Sequence, residues 1–90
     1  MYDWQFNSKA EKQFSKLDKP IQKRILAWLN NNITGTNNPR IFGKSLEGEL
    51  STLWRYRVGK YRIIASIEDK MFTVTVVKVG KRNDIYNQGK

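Results

Sequence analysis

Four cations lie within eight consecutive residues of this chain, and no acidic residue interrupts them. They are Arg55, Arg57, Lys60 and Arg62. A guanidinium group presents several N–H donors in one rigid plane, so it binds the oxygens of a phosphate or carboxylate in bidentate fashion. The spacing therefore indicates an anion-binding site.

Strand geometry brings three of these cations together. Polar and apolar side chains alternate around them, and Gly59-Lys60 fits a two-residue hairpin turn that places Arg57 opposite Arg62. Arg55 lies two residues from Arg57 and so shares its side of the sheet. Directly opposed like charges destabilise a sheet, which favours an anion site over a purely solubilising surface. The other side then carries Trp54, Tyr56, Tyr61 and Ile63, which we expect to face the helices.

Two more residues with suitable chemistry follow the last apolar run. Gly80 is expected to end that strand and turn the chain, which brings Arg82 and Tyr86 across the edge of the sheet. Their spacing of four places them on one side of a helical turn. Two structural interpretations stay open: Arg82 as the partner of Asp84 or Glu68 in a salt bridge, and Tyr86 as a ring that anchors the C-terminal segment.

Composition narrows the chemistry further. The 90 residues include 17 Lys+Arg, 8 Asp+Glu, no His and no Cys, which gives a net charge of +9. Catalytic triads with His, thiol nucleophiles and thiolate metal sites are excluded. We expect no metal, no cofactor and no membrane segment, a cytoplasmic location, and a polyanionic partner.

The N-terminal half predicts a strand followed by two helices. Tyr2, Trp4 and Phe6 alternate as in a strand, and Ser8 begins a capping-box spacing with Glu11. Apolar residues then recur at helical spacing, first up to Asp18 and again from Pro20. The two stripes consist of Ala10, Phe14 and Leu17, and of Ile21, Ile25, Trp28, Leu29 and Ile33.

The C-terminal half predicts strands. Residues 40–50 are irregular, with one possible short strand, whereas 53–58, 61–67 and 72–79 are strand-like runs joined by short turns. The chain is therefore expected to be a single α+β domain over residues 1–90, with a helix hairpin packed on one face of an antiparallel three-stranded meander.

These residues together resemble the RelE/ParE superfamily of bacterial toxins, and the RelE branch in particular. The resemblance lies in the run from Leu53 to Ile64, in Val79-Gly80-Lys81-Arg82, in Ile85-Tyr86 and in the preceding Gly43–Gly48 segment. It implies a RelE-like fold and a ribosome-dependent endoribonuclease that cleaves mRNA in the decoding site. It also implies two partners, a cognate RelB-like antitoxin and the 70S ribosome with its mRNA.

Carried over by position, the resemblance gives the site residues. The implied catalytic set is Arg55, Arg57, Arg62, Arg82 and Tyr86, and the further basic residues expected on RNA are Lys44, Lys60, Lys78 and Lys81. Some family members have Lys at positions 55 and 57, and many have His at position 81. Because Arg almost never loses its proton, proton transfer by residues 55 and 57 is disfavoured here.

The chemistry of RNA cleavage assigns roles to this set. Guanidinium groups suit the charge that develops on the phosphorane. Tyr86 is the best remaining base for the 2′-OH, since nearby guanidiniums favour its phenolate and lower its pKa below about 10. The acid stays open among Arg82, Lys81 and Lys60.

Two other functions are compatible with the pattern. A ParE-like protein would inhibit DNA gyrase by protein–protein contact, without a catalytic set. A small RNA-binding or ribosomal protein would need exposed aromatic rings for stacking, and most aromatic residues here fall on the inferred core side. Only Phe42 and Tyr86 remain open for contact with a base.

Overall fold

The computed structural model describes residues 1–46 and 52–81, and all structural statements refer to these ranges. Within them the chain forms five strands and two α-helices. In chain order these are β1 (Asp3–Phe6), α1 (Ser8–Ser15), α2 (Lys19–Asn32), β2 (Gly43–Ser45), β3 (Leu53–Val58), β4 (Tyr61–Glu68) and β5 (Thr73–Lys81). Two short 3₁₀ turns, Pro39–Phe42 and Asp69–Met71, precede β2 and β5.

All five strands belong to one sheet with the order β1-β5-β4-β3-β2. The expected meander of β3, β4 and β5 is antiparallel and occupies its middle. β1 pairs in parallel with β5, and the short β2 pairs with β3 at the opposite edge. The meander is thus flanked by one further strand on each side.

The hydrophobic core lies between one face of this sheet and the two helices. The residues with no exposed surface include Ile25, Leu29 and Ile33 from α2 and Tyr56, Ile63 and Val76 from the sheet. The partly buried Trp54 and Tyr61 pack against the same cluster. The expected α+β layering, with both helices on one side, is confirmed. No helix in the described ranges is both long and apolar enough to cross a membrane.

Both helix starts differ by one residue from the expectation. The side chain of Asn7, not Ser8, caps α1 by accepting a hydrogen bond from the Ala10 N–H at 2.8 Å. α2 begins at Lys19, which makes Pro20 the second helical residue. An Asn oxygen caps a helix as well as a Ser oxygen does, so the spacing to Glu11 could not decide between them.

The hairpin turn of β3 and β4 has the expected geometry. Gly59 has a φ of +60° and Lys60 has no positive φ, as in a type II′ turn. The register follows directly: Val58 pairs with Tyr61 and Arg57 with Arg62. The strand pairing that aligns the arginines is therefore determined by this turn.

Candidate nucleic-acid interface

The sheet face turned away from the helices carries the cations that the sequence pattern singled out. Two neighbouring rows cross the strands: Lys44, Arg55, Ile64 and Lys78 in one, and Arg57, Arg62 and Gly80 in the next. We call Lys44, Arg55, Arg57, Arg62 and Lys78 the basic face. Cross-strand neighbours lie roughly 5 Å apart at their Cβ atoms, so these side chains can converge on one polyanion.

Arg62 is the buried member of the basic face. Its side chain is 7% exposed, and Nη1 donates to the carbonyl oxygens of Tyr61 at 3.2 Å and Gly59 at 3.4 Å. Within residues 1–46 and 52–81 no carboxylate pairs with it. A buried cation without a counter-ion is costly, so the absence of a carboxylate partner within these ranges favours an anion as the ligand of Arg62.

Next to the arginines lies a cleft of about 350 Å³, which we call the basic cleft. It is lined by Ile41, Phe42, Gly43, Lys44, Arg55 and Arg57. Lys44 and Arg57 are exposed, and Arg55 is half-buried. Its volume falls in the range of small-ligand sites, about 300–1,000 Å³.

The 3₁₀ turn Pro39–Phe42, which lines the basic cleft, is anchored by side-chain contacts. The buried Tyr56 hydroxyl donates to the Pro39 carbonyl at 2.7 Å. Arg40 forms a bidentate pair with Asp69, with both N–O distances at 2.9 Å. The Arg40 guanidinium also lies 6.0 Å from the ring centre of Trp54. These contacts fix the turn before β2 to strand β3 and to the 3₁₀ turn that follows β4.

Asp69 joins three separate parts of the chain. Besides Arg40 it accepts a hydrogen bond from the Tyr2 hydroxyl at 2.6 Å. Hydrogen bonds from Arg40 and then Tyr2 lower the pKa of the Asp69 carboxyl to about 2. The same carboxylate raises the pKa of Tyr2, whereas burial raises that of Tyr56. These groups hold the fold around the cleft and keep their ordinary charge states near neutral pH.

The remaining sequence-derived site residues are distributed as follows. Lys78 lies on the basic face, and Lys60 is exposed in the hairpin turn. β5 extends past Gly80 to Lys81, so the expectation that Gly80 ends the strand is wrong; Gly80 instead pairs with Arg62. Lys81 pairs with Tyr61 and so lies on the other side of the sheet. Arg82 and Tyr86 lie outside the described residues.

Sequence reasoning named Phe42 and Lys44 of the basic cleft but missed Ile41 and the contacts that support this segment. Ile41 gave no signal because a single apolar residue in an irregular segment has no periodicity. The Arg40–Asp69 pair spans 29 residues and three elements, so no spacing rule indicates it. The sequence Asn37-Asn38-Pro39 did indicate a turn, and that turn carries Arg40 and Ile41.

Comparison with known proteins places this geometry in a family. Residues 5–86 match the family model described as the ParE toxin of type II toxin-antitoxin systems, parDE. The toxin RelG of Mycobacterium tuberculosis is 29% identical over 97% of this chain and 98% of its own length. A putative RelE-like toxin protein of Escherichia coli is 32% identical over 96% of this chain and 90% of its own length.

A solved structure supports the same grouping. The toxin-antitoxin complex RelBE2 from Mycobacterium tuberculosis contains a chain that superposes with a TM-score of 0.81 at 27% identity. The match covers 90% of this chain and 91% of the other. The five-stranded sheet with its two helices is thus the fold of a toxin that was solved together with its antitoxin.

Proposed function

The chain belongs to the RelE/ParE family of toxins from type II toxin-antitoxin systems, and from this premise we propose that it is a ribosome-dependent endoribonuclease. Its substrate is mRNA in the ribosomal A site, and its action inhibits translation. The curated relatives carry RelE-type names, which supports this branch of the family.

The observation that carries the proposal is the buried Arg62 opposite Arg57. The two guanidinium groups occupy one row of the sheet, and Arg62 has no carboxylate partner among the described residues. A protein that only docked on another protein would not need a buried, unneutralised cation at this position. A phosphate that carries extra negative charge in the transition state accounts for it.

The reaction follows from the chemistry of the available groups. The 2′-OH attacks the adjacent phosphorus, the bond to the 5′ oxygen breaks, and the products are a 2′,3′-cyclic phosphate and a 5′-OH end. Arg57 and Arg62 stabilise the charged phosphorane, together with Arg55 and Arg82. Tyr86 removes the 2′ proton, and Arg82 or Lys60 protonates the leaving oxygen; Lys81 is set aside because it lies on the other side of the sheet. No step needs a metal ion or cofactor.

The ribosome contributes what a site without His lacks. Arg is a poor proton donor and Tyr a weak base near neutral pH, so cleavage of free RNA should be slow. Fixing the 2′-OH in line with the phosphate supplies orientation, which accelerates such reactions strongly. The second partner is a RelB-like antitoxin, which the toxin–antitoxin structure of the relative supports.

The test is cleavage of mRNA on programmed ribosomes, with the 5′ ends mapped. We expect cuts in translated message at the A-site codon and a 2′,3′-cyclic phosphate on the upstream product. A single 2′-deoxynucleotide on the 5′ side of the cut should abolish cleavage there. Cleavage that persists at the deoxy position would exclude attack by the 2′-OH.

A second candidate function is inhibition of DNA gyrase, which the match to the ParE family model favours. In that case the arginines would bind a protein surface, and no RNA would be cut. A supercoiling assay with the purified chain distinguishes the two. Loss of gyrase activity with intact messages supports the ParE-like function, whereas binding of RNA without either effect supports a non-catalytic RNA-binding protein.

A further inference from the structure

The basic cleft has an apolar wall that phosphate binding does not explain. Ile41 is 68% exposed and lines the cleft beside Phe42. The other side chains that line the cleft, those of Lys44, Arg55 and Arg57, are all basic, and no carboxylate lines the cleft among the described residues. We call these three its basic wall and Ile41 with Phe42 its apolar wall. A bare phosphate would use only the basic wall, so the ligand should have an apolar surface as well.

The apolar wall is rigid although it is exposed. On its N-terminal side Tyr56 holds the Pro39 carbonyl, and the Phe42 ring packs edge-on to Trp28 with centroids 6.2 Å apart. On its C-terminal side Gly43 lies so close to β3 that a Cβ there would clash with the Arg55 carbonyl oxygen. An exposed apolar side chain on a fixed turn loses little conformational entropy when a ligand covers it.

We propose that the basic cleft binds one unpaired nucleobase of RNA. The face of the base lies against Ile41 and Phe42, and the adjoining phosphate is held by Arg57 and Lys44. A nucleotide joins an apolar ring to a phosphate in one molecule, which matches the two walls of the cleft. Single-stranded RNA is commonly recognised by bases that leave the stack and pack on apolar or guanidinium surfaces.

This inference rests on the proposed function, because it names the part of the substrate that adjoins the cleaved phosphate. It adds that residues 41 and 42 contribute to the choice of nucleotide. The alternative occupant is an acidic and apolar segment of a protein partner, and the experiments below separate it from RNA.

The first experiment uses the full chain with ¹³C-labelled isoleucine methyl groups and no ribosome. Nucleoside 5′-monophosphates are titrated in parallel with ribose 5-phosphate, which lacks the base. We expect the δ1 methyl resonance of Ile41 to shift with the nucleotides only, while that of Ile25 in the core stays constant. Equal shifts with ribose 5-phosphate, or no shift with either ligand, would overturn the proposal.

The second experiment compares Ile41→Ala with Met71→Ala on programmed ribosomes. Met71 is 70% exposed on the other 3₁₀ turn, so it is a matched control for loss of an exposed apolar side chain. Ile41→Ala should raise KM about fivefold and change the distribution of nucleotides at the cut, since a base contact of this kind contributes a several-fold change in affinity. Met71→Ala should keep both at the wild-type level.

The outcomes separate failure of this inference from failure of the proposed function. If the wild type cleaves message and Ile41→Ala matches it in KM and cut distribution, the proposal of a base-binding site is refuted, whereas the proposed nuclease function is retained. If the wild type does not cleave message, and nucleotides still shift the Ile41 methyl resonance selectively, the base-binding site is supported and the nuclease function is refuted. If Ile41→Ala weakens only antitoxin binding, the cleft is a protein-docking site and the proposal fails.

Discussion

Arg62 differs from its neighbours on the basic face because the fold buries it. Alternation along the strand predicts which face a side chain occupies, and that prediction is confirmed for Arg55, Arg57 and Arg62. Alternation carries no information about depth. The burial of Arg62 arises where the hairpin carbonyls and the neighbouring strands enclose its side chain, which only the assembled sheet defines.

Replacing Arg62 by Met should separate activity from stability. Arg62→Met keeps an aliphatic side chain of similar length and removes a buried charge that has no carboxylate partner within residues 1–46 and 52–81, so the Tm should stay the same or rise. The rate of mRNA cleavage should fall by about 100-fold or more, as for loss of one transition-state donor. Single-turnover cleavage on programmed ribosomes and a thermal melt measure the two effects.

The control for Arg62→Met is Lys70→Met, which removes one exposed cation far from the basic face. It should leave both the cleavage rate and the Tm unchanged. Wild-type cleavage by Arg62→Met would contradict the role assigned to this residue, and a large loss of Tm would show that Arg62 is structural.

Tyr86 is expected to act as the base, and its role stays a prediction because it lies outside the described residues. Tyr86→Phe removes the phenol and keeps the ring, so cleavage should slow by about 10²–10⁴-fold, the usual contribution of general base catalysis. The rise of the cleavage rate with pH should also disappear. Tyr61→Phe removes a phenol from the core side of the sheet and should change neither quantity. A Tyr86→Phe variant with the wild-type rate and pH profile would reduce Tyr86 to a packing residue.

At the scale of elements, local turn chemistry predicted more than helix caps or long-range contacts did. Gly59 at the first turn position fixes the β3–β4 register, because a type II′ turn allows one pairing of the flanking strands. The parallel addition of β1 beside β5 has no such local signal, since the paired positions are 70 residues apart in the chain. The Arg40–Asp69 pair was missed for the same reason. The fold class was therefore predictable, whereas the strands and contacts that flank the basic cleft were not.

The Tyr2–Asp69–Arg40 contacts should make stability depend on pH in a defined window. The folded state lowers the pKa of Asp69 from 3.8 to about 2, so this carboxylate stabilises the fold above its unfolded pKa. That contribution decreases as the pH falls through the folded value. The Tm of the wild type should exceed that of Asp69→Asn at pH 5 and above, and the difference should shrink between pH 4 and 2.

An Arg40→Gln background provides the control for this effect. Arg40 is the first cause of the lowered pKa, so without it Asp69→Asn should produce a smaller difference and a weaker pH dependence. A gap in Tm that stays constant down to pH 2 in the wild-type background would contradict the contribution of Asp69. The same variants test whether the turn before β2 loses its position, because the Ile41 methyl resonance would then move.

For the whole molecule, 11 of the 17 Lys and Arg residues are assigned to two surfaces. On the helix side, five exposed cations lie in the helices and the exposed Lys16 directly follows α1; the five are Lys9, Lys12, Lys19, Lys23 and Arg24. The basic face carries five on the other side of the sheet, of which Arg62 is buried and Arg55 and Lys78 are half-buried. Composition predicted a polyanionic partner but could not distinguish these surfaces. Strand register and burial distinguish the two surfaces, because they identify the sheet face on which cations are held in place by the surrounding structure.

The salt dependence of RNA binding tests that distinction. Each phosphate contact on a single strand contributes about 0.7 to the slope of log affinity against log salt. With a short 2′-O-methyl RNA that cannot be cleaved, Arg57→Gln should therefore reduce the slope by about 0.7. Lys23→Gln removes the same charge from α2 without the loss of a phosphate contact, so it should weaken binding only slightly and reduce the slope by much less than about 0.7. If the two variants lowered the slope equally, RNA would contact both surfaces. That result would contradict the assignment of the basic face as the nucleic-acid interface.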